Sequence, residues 1–388
     1  MINKKLKVGN VPNLRFPEFT EEWETKKLGE ILEFKNGINA TKEQYGSGYK
    51  FINVLDILNN EFITHDKIIG SVNVNEEIID KFPVNYGDIL FQRSSETREE
   101  VGTTSVYLDK DKTATFGGFV IRGKKNGEYE PIFLNKSLKT DLVRNQITSK
   151  SGGSTRYNIG QEILASVTLY FPSLNEQTKI ASFLSLIDSR IQTQNKIIEE
   201  LKLLKNTIRY QLYEQILNQE NEYIQIKDTL NYEQPTKYLV TNTDYSPDSS
   251  LNPVLTANKA FILGYTDELF GVYNKGNCII FDDFTMDMKF VDFPFKVKSS
   301  AIKILTAKPN VNLKFIFEYL SFLNLSSNEH KRHYISEIEP MKIQLPNYIQ
   351  QKHVADFLSS IDDKVKTEFE IHMLLIKQKQ YLLANLFI

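Results

Sequence analysis

Few residues in this chain have the types and spacing that enzymes use for chemistry. Glu24 with Lys26, and Glu200 with Lys202, have the Glu-x-Lys spacing of some nuclease sites, but such pairs arise often by chance. The sequence contains neither the Gly-rich loop with Lys that cradles nucleotide phosphates nor a Gly-x-Gly-x-x-Gly cofactor loop. We therefore predict a chain that is not catalytic by itself and that carries no cofactor.

The tetrapeptide HKRH contains two histidines, His330 and His333, at a spacing compatible with a metal ion. The single cysteine, Cys278, is distant in the sequence and no acidic partner is evident, so we interpret HKRH as a basic surface patch and predict no metal site. One cysteine cannot form an internal disulfide, which fits a reducing compartment. The sequence favours a cytoplasmic protein.

Composition describes a water-soluble globular chain. Its 388 residues are 41% hydrophobic and 25% charged, which suits two or more domains. No stretch approaches the roughly 20 apolar residues that cross a bilayer, so we expect no membrane segment. The net charge is −2, so any contact with nucleic acid must use a few basic side chains on one face.

An internal repeat organises the sequence: FLSLIDSRI, which begins at Phe183, returns as FLSSIDDKV, which begins at Phe357. The offset of 174 residues holds from Pro172 and Pro346 onward for about 40 residues, which chance does not produce. Both copies open with helix-capping residues. Ser173 with Glu176, and Asn347 with Gln350, form predicted capping boxes.

Apolar residues then recur at steps of three and four, which predicts two amphipathic helices of about 40 residues and about 60 Å. Helices with so narrow an apolar stripe usually pack against each other. Gln194 and Glu368 interrupt the stripes at equivalent positions, either to set the register of a coiled coil or as tolerated polar residues. The first stripe is Ile180, Phe183, Ile187, Ile191, Ile198, Leu201, Leu204, Ile208 and Leu212; the second is Val354, Phe357, Ile361, Val365, Ile371, Leu375, Leu382 and Leu386.

The segments before the helices repeat more weakly, at offsets that drift from 189 to 174. NYGDILF matches YNKGNCIIF, YEPIFLNKSL matches VNLKFIFEYL, and RYNI matches RHYI. Runs such as FINVLDI, GDILF, TTSVYL and FGGFVI predict strands, whereas NKSLKTDLVRNQI and LKFIFEYLSFL predict short helices. The fold class is therefore α+β, with two similar globular domains, each followed by a long helix.

The order of globular domain, long helix, globular domain and long helix resembles that of the specificity subunit of bacterial Type I restriction-modification enzymes. The starts of the helices carry the resemblance: PSLNEQTKIASFLSLID from Pro172 and PNYIQQKHVADFLSSID from Pro346. The opening PNLRFPEFTEEWETKKLGEI is also similar to the start of such subunits. The second copy departs from the pattern at Gln350 and His353. The resemblance covers essentially the whole chain.

The resemblance implies two target recognition domains, residues 1–170 and 218–345, that each read half of a bipartite asymmetric sequence in double-stranded DNA. Residues 171–217 and 346–388 would pair as an antiparallel coiled coil with pseudo-two-fold symmetry. This coil would set the gap between half-sites and dock two modification (methyltransferase) subunits, with restriction/translocase subunits completing the complex. S-adenosylmethionine, ATP and Mg²⁺ would belong to those other subunits, and the absence of an adjacent Pro-Pro pair agrees with a non-catalytic chain.

Polar residues on loops after the matched strands are the candidates for DNA contact, because Arg pairs with guanine or phosphate and glycine lets the backbone approach. About half of them would serve as ordinary solvated charges, and the acidic neighbours Glu96, Glu99, Asp282 and Asp283 could instead accept from cytosine. The candidates are Arg93, Ser94, Ser95, Arg98, Lys150, Ser154, Arg156, Tyr157, Thr285, Lys289, Lys331, Arg332 and His333. For the coiled coil and partner docking they are Phe183, Ile187, Ile191, Ile198, Leu201, Phe357, Ile361, Val365, Ile371 and Leu375.

One alternative from another class stays open on sequence alone. The duplicated helices could belong to a scaffold or adaptor whose globular domains recognise protein. Dependence of binding on DNA sequence would separate the two functions.

Overall fold

The computed structural model describes residues 9–258, 260–326 and 331–388. Its contacts divide the chain into two compact units. Unit 1 extends to Thr193 and also includes His372–Ile388, and unit 2 is Gln194–Ile371. Each unit therefore contains one globular domain, part of the first long helix and part of the second.

The helices are α1 (Leu28–Ile31), α2 (Val54–Asn59), α3 (Glu76–Lys81), α4 (Pro131–Ser137), α5 (Asp141–Ser149), α6 (Gln161–Ala165), α7 (Leu174–Leu217), α8 (Ile226–Thr229), α9 (Leu313–Phe322) and α10 (Tyr348–Leu386). Among the described residues, no helix is both long enough and apolar enough to cross a membrane.

The strands of unit 1 are β1 (Glu24–Lys27), β2 (Leu32–Asn36), β3 (Tyr45–Ile52), β4 (Phe62–Ile63), β5 (Ser71–Val72), β6 (Ile89–Gln92), β7 (Ser94–Ser95), β8 (Thr104–Tyr107), β9 (Thr115–Phe116), β10 (Val120–Lys125), β11 (Tyr157–Asn158) and β12 (Thr168–Phe171). Those of unit 2 are β13 (Glu222–Gln225), β14 (Leu230–Glu233), β15 (Asn252–Leu255), β16 (Ile262–Thr266), β17 (Cys278–Asp282), β18 (Met288–Val291), β19 (Lys296–Val297), β20 (Ile302–Ala307) and β21 (Lys342–Leu345).

The two units contain the same kinds of sheet. Unit 1 has a sheet in the order β2-β10-β6-β8-β4, and unit 2 has one in the order β14-β20-β17-β18. In both units the first and last strands also form a separate antiparallel pair, β1 with β12 and β13 with β21. The predicted α+β class with two similar globular domains is confirmed.

The short elements depart from the predicted ones in two places. VLDI, predicted as part of a strand, forms α2, because Asn53 starts a helix there and its N–H donates to the Asp56 carboxylate at 2.7 Å. The run FGGFVI is split into β9 and β10 by a turn at 117–119. The two glycines of this run make the break, which leaves Phe119 outside the sheet.

The two long helices are confirmed, with 44 residues in α7 and 39 in α10. They pack together in an antiparallel direction within each unit. In unit 1, Asp188 contacts Lys379 at 2.7 Å, and in unit 2 the Gln194 amide donates to the Glu368 backbone oxygen at 2.9 Å and to its carboxylate. The two polar residues that interrupt the predicted stripes therefore bond to each other.

Buried and half-buried residues at alternating steps of three and four form what we call the helix seam. On α7 it is Ile187, Ile191, Gln194, Ile198, Leu201, Lys205, Ile208 and Leu212. On α10 it is Leu358, Ile361, Val365, Glu368, His372, Leu375, Lys379, Leu382 and Leu386. Phe183, before the seam begins, is half-buried against Phe16.

Three residues of the predicted stripes lie outside the seam and are exposed: Leu204 (50%), Phe357 (51%) and Ile371 (39%). The adjacent residues Lys205, Leu358 and His372 are buried in their place. The prediction failed at Lys205 and His372 because it admitted only apolar residues to the stripe. A charged side chain can occupy such a position when ion pairs compensate its desolvation.

The caps of the long helices differ between the copies. Ser173 Oγ accepts the Glu176 N–H at 3.4 Å, and Asn347 Oδ1 accepts the Gln350 N–H at 3.0 Å, as predicted. Glu176 was predicted to complete a capping box, but both its oxygens are engaged by Arg15 Nε and Nη2, each at 2.8 Å. This buried ion pair ties the N-terminal segment to the helix.

Candidate nucleic-acid interface

In unit 1, two loops that are about 60 residues apart in the sequence lie side by side. Strand β7 pairs antiparallel with β11, so that Ser94 faces Asn158 and Ser95 faces Tyr157. Ser94 Oγ also donates to Asn158 Oδ1 at 2.8 Å. The sequence-predicted residues 93–98 and 154–157 are therefore brought together on one surface, which we call the unit 1 loop face.

The basic side chains of the unit 1 loop face are held weakly. Arg156 Nη2 is 3.7 Å from Glu96 Oε1, and both side chains are mostly exposed, at 62% and 82%. An exposed pair of this kind contributes about 0 to 1 kcal/mol, so a phosphate or guanine could replace Glu96 at small cost. The guanidinium of Arg98 lies 5.1 Å from the centre of the Tyr157 ring, which is a cation–π contact.

Other candidates in these loops already have structural partners. Arg93 Nη1 donates to the Gly118 carbonyl at 3.2 Å, and Ser95, which is 7% exposed, donates to Glu100 at 2.9 Å. Lys150 donates to Ser166 Oγ at 3.1 Å. Ser154 is exposed at a bend between α5 and β11. Arg93 and Ser95 therefore position the loops, and Arg98 and Arg156 are better placed to contact a ligand.

A groove of about 530 Å³ runs along the unit 1 loop face. Arg156, Ser94 and Glu96 line one part of it, and Leu55 and Phe119 line another. Leu55 and Phe119 are 67% and 64% exposed, so this part of the groove presents apolar surface beside the polar residues. Sequence reasoning missed both, although the Gly-Gly pair before Phe119 signals a turn that would present it. Apolar side chains in a DNA groove can contact the methyl group of thymine.

The loop at 96–101 is braced from behind by helix α5. Arg144 Nη2 donates to the carbonyl oxygens of Glu99 and Val101 at 2.8 and 2.7 Å. Burial lowers the pKa of Arg144, but the group stays cationic at any physiological pH. The backbone of the loop that carries Arg98 is thus fixed by a side chain that sequence reasoning also missed.

In unit 2, a β-turn and a later segment are joined in a comparable way. The Asp283 carboxylate accepts the N–H groups of His333 and Tyr334 at 3.1 and 2.8 Å. The Asp282 carboxylate accepts the N–H groups of Phe284 and Thr285 at 2.9 and 3.0 Å, which holds the turn between β17 and β18. Both acids are buried, so their role is to shape the backbone.

The candidate side chains of unit 2 divide into exposed and buried ones. Arg332 is exposed, and Lys331 pairs with Glu337 at 2.9 Å on the surface. His333 is 1% exposed and its Nδ1 lies 3.1 Å from Glu337, so its side chain belongs to the interior. Hydrogen bonds from Lys331 and His333 lower the pKa of Glu337. Thr285 Oγ1 donates to Asp287 at 3.2 Å, and Lys289 is half-buried on β18.

The described residues contain no cluster of three or more His, Cys, Asp or Glu side chains arranged to hold a metal ion. His330, the other histidine of HKRH, lies outside the described residues.

A family model described as the Type I restriction modification DNA specificity domain matches residues 20–203. The specificity subunit of the Escherichia coli enzyme EcoR124I/EcoR124II is 46% identical over 133 residues, which is 33% of this chain and 33% of that protein. The putative MjaX specificity subunit of Methanocaldococcus jannaschii is 25% identical over 402 aligned positions, 94% of this chain and 90% of that protein. The chain thus spans a third of the first relative's length and most of the second's.

Two solved structures share the fold. The S subunit of a Type I restriction-modification system from M. genitalium superposes with a TM-score of 0.60 at 16% identity, covering 97% of this chain and 99% of that one. A chain from a structural study of complex assembly and conformational transition in the Type I system superposes with a TM-score of 0.56 at 14% identity, covering 93% and 96%. At such identities the likeness concerns the fold.

Proposed function

The chain belongs to the specificity subunits of Type I restriction-modification systems, and we propose that its two globular domains each read one half of a bipartite, asymmetric DNA target. Residues 1–170 and 218–345 would be the two target recognition domains. The pairing of β7 with β11 carries the proposal most strongly, since it assembles a surface with Arg98 and Arg156 from two distant loops. In unit 2, Asp283 joins the turn after β17 to the segment that carries Arg332.

The small net charge of the chain limits the ways in which the two domains could bind DNA. A net charge of −2 cannot attract DNA over long distances, so affinity would depend on a few local phosphate and base contacts. Arg156 would exchange Glu96 for a phosphate or a guanine, and Leu55 and Phe119 would contact thymine methyl groups. Binding should then show a shallow salt dependence and a large difference between specific and random DNA.

The long helices would provide both the spacing between the half-sites and the binding surface for the other subunits. Large apolar side chains are exposed along them, including Leu203 and Tyr210 on α7 and Leu374 and Tyr381 on α10, at 56 to 67%. Patches of this kind mark protein interfaces. We assign them to two methyltransferase subunits, with restriction/translocase subunits in the complete assembly. Those subunits would supply S-adenosylmethionine, ATP and Mg²⁺, and this chain would do no chemistry.

The test is the binding of this chain, together with its methyltransferase partner, to a library of random-sequence duplexes at several salt concentrations. We expect selection of duplexes that share two short half-sites separated by a fixed gap. Equal affinity for all duplexes at every salt concentration would refute the recognition function and leave the scaffold alternative.

A further inference from the structure

A cluster of charges around the buried Lys136 joins the globular domain of unit 1 to its helices. Lys136 on α4 is 1% exposed and bonds to both Asp188 of α7 and Glu61. Lys379 of α10 lies 2.7 Å from Asp188, and Lys139 lies 3.4 Å from Glu61. Burial opposes ionisation of Glu61, but the surrounding lysines outweigh it and lower its pKa to about 2. The globular domain thus supplies Lys136 to Asp188 of α7, and it also supplies Glu61, which lies 3.7 Å from Lys379 of α10.

The cluster of unit 2 has the corresponding location, and its globular side supplies one acid, Glu318, and one base, Lys314. Glu318 on α9 is fully buried and accepts from Lys205 at 2.8 Å and from Arg209 at 2.7 Å, both on α7. Asp362 of α10 accepts from Lys205 at 2.6 Å and from Lys314 at 2.8 Å. Here Glu318 of the globular domain pairs with the cations of α7, and Lys314 of the same domain pairs with Asp362 of α10 and lies 3.2 Å from Glu318.

Backbone contacts establish which residues correspond. The Gln177 side chain accepts the Glu130 N–H at 3.0 Å and donates to the Pro172 carbonyl at 2.9 Å. Gln351 makes the same two bonds, with Asn312 at 2.9 Å and Pro346 at 2.8 Å. These pairs give offsets of 174 on the helices and 182 on the globular domains.

With these offsets, the pair Asp188–Lys379 corresponds to Asp362–Lys205, so both units contain the same Asp–Lys pair on the helices. On the globular side, Lys136 corresponds to Glu318. One further difference lies on the helices: Arg209 corresponds to Leu383, which is half-buried in unit 1. The additional cation of the helices therefore occurs in the unit that has an acid, Glu318, at the position of Lys136.

We propose that each Asp–Lys pair is a docking seat for a globular domain. The first seat is Asp188–Lys379 in unit 1, and the second seat is Asp362–Lys205 in unit 2. The neighbouring residue, Leu383 in the first seat and Arg209 in the second, determines which charge the seat accepts from the domain. The second seat, with Arg209, fits a domain that presents an acid at the position of Glu318. The first seat, with Leu383, fits a domain that presents a base at the position of Lys136. A buried cation without enough anions is costly, whereas a buried pair with satisfied bonds is tolerated.

This inference does not rest on DNA recognition. The charges of each seat determine which domain that seat accepts, a property beyond the proposed function. They therefore limit the exchange of domains between the two positions. A domain moved from the first seat to the second would place the lysine at 136 against Lys205 and Arg209. The order of the two domains in the chain would be fixed by this mismatch.

The test uses point variants of the full chain, because E318K places a lysine on the second seat without moving a domain. Removing one partner of a buried pair lowers the thermal midpoint by about 5 to 15 °C, and we expect a loss of this size for E318K. The informative change is R209L, which copies Leu383. R209L should lower the midpoint in the native chain and raise it in the E318K chain.

The first seat provides an independent measurement. K136E should lower the midpoint, and adding L383R, which copies Arg209, should restore part of the loss, whereas L383R alone should not stabilise the chain. If E318K does not fold, E318Q replaces it, and R209L should then cost clearly less than in the native chain. The proposal is overturned if R209L costs as much with Lys or Gln at 318 as with Glu, or if L383R leaves K136E unchanged.

Discussion

Gly153 gives the sharpest test of the unit 1 loop face, because its substitution changes the loop and removes no polar group. Its φ is +126°, a region that other residues rarely adopt. A Cβ placed on Gly153 would lie 1.9 Å from the Arg156 carbonyl oxygen, whereas real Cβ contacts are essentially never under 3.0 Å. G153A therefore forces the loop that carries Arg156 to open by about 1 Å.

The expected effects on stability and on DNA binding differ in size. Strained backbone of this kind costs about 1 to 3 kcal/mol, and an exposed loop relieves part of it by moving, so the thermal midpoint should fall by only a few degrees. A well-placed side-chain contact with a base is worth about 1 to 3 kcal/mol. Displacing Arg156 and Tyr157 should therefore weaken binding to the target duplex by roughly 5- to 150-fold.

The assay is fluorescence anisotropy of a labelled target duplex, titrated with the complex of this chain and the proposed methyltransferase partner. G152A is the matched control, since a Cβ at Gly152 has no atom within 4 Å. It should bind like the native chain. Equal affinity of G153A and G152A for the target, or equal weakening of binding to target and scrambled duplexes in G153A, would show that the unit 1 loop face does not read bases.

Three further outcomes follow from the helices and the buried charges. Q351A removes a side chain that bonds to Asn312 and Pro346, so urea unfolding should show a loss of about 1 to 3 kcal/mol, whereas substitution of the exposed Gln350 should cost little. The carboxyl of Glu61 has a pKa of about 2 in the folded chain against 4.5 normally, so its contribution to the stability of the fold is present above pH 4.5 and is lost as the pH falls toward 2. The thermal midpoint should therefore fall more steeply on acidification in the native chain than in E61Q. Equal slopes for the two chains would contradict this. Insertion of seven residues into both α7 and α10 should lengthen the gap between half-sites and leave their sequences unchanged, as methylation mapping would report.

The helices and the duplication were predictable from sequence because a 3-4 pattern over 40 residues is a strong signal. The pattern failed where a charged residue occupies the seam, as Lys205 does in place of Leu204, and where the seam is displaced by one residue, as from Phe357 to Leu358. Burial of a lysine depends on Glu318 and Asp362, which are more than a hundred residues away in the sequence. No local pattern contains such information.

The candidate interface was predictable as a set of loops and less so as individual side chains. The loops at 93–98 and 154–157 were named from their place after the matched strands, and the pairing of β7 with β11 brings them together. His333 is buried because Asp283 fixes its backbone, a contact that spans fifty residues. Phe119 was assigned to a strand because its neighbours are apolar, whereas the turn at Gly117 and Gly118 exposes it.

The reading of two DNA half-sites by the two globular domains is tested by mapping methylated adenines in DNA from cells that express this chain with the proposed methyltransferase partner. We expect methylation within one asymmetric sequence made of two half-sites and a gap of fixed length. We also expect that a substitution in the unit 1 loop face, such as R156A, alters or relaxes one half-site and leaves the other unchanged. A single contiguous motif, or a change in both half-sites, would contradict recognition of one half-site by each domain.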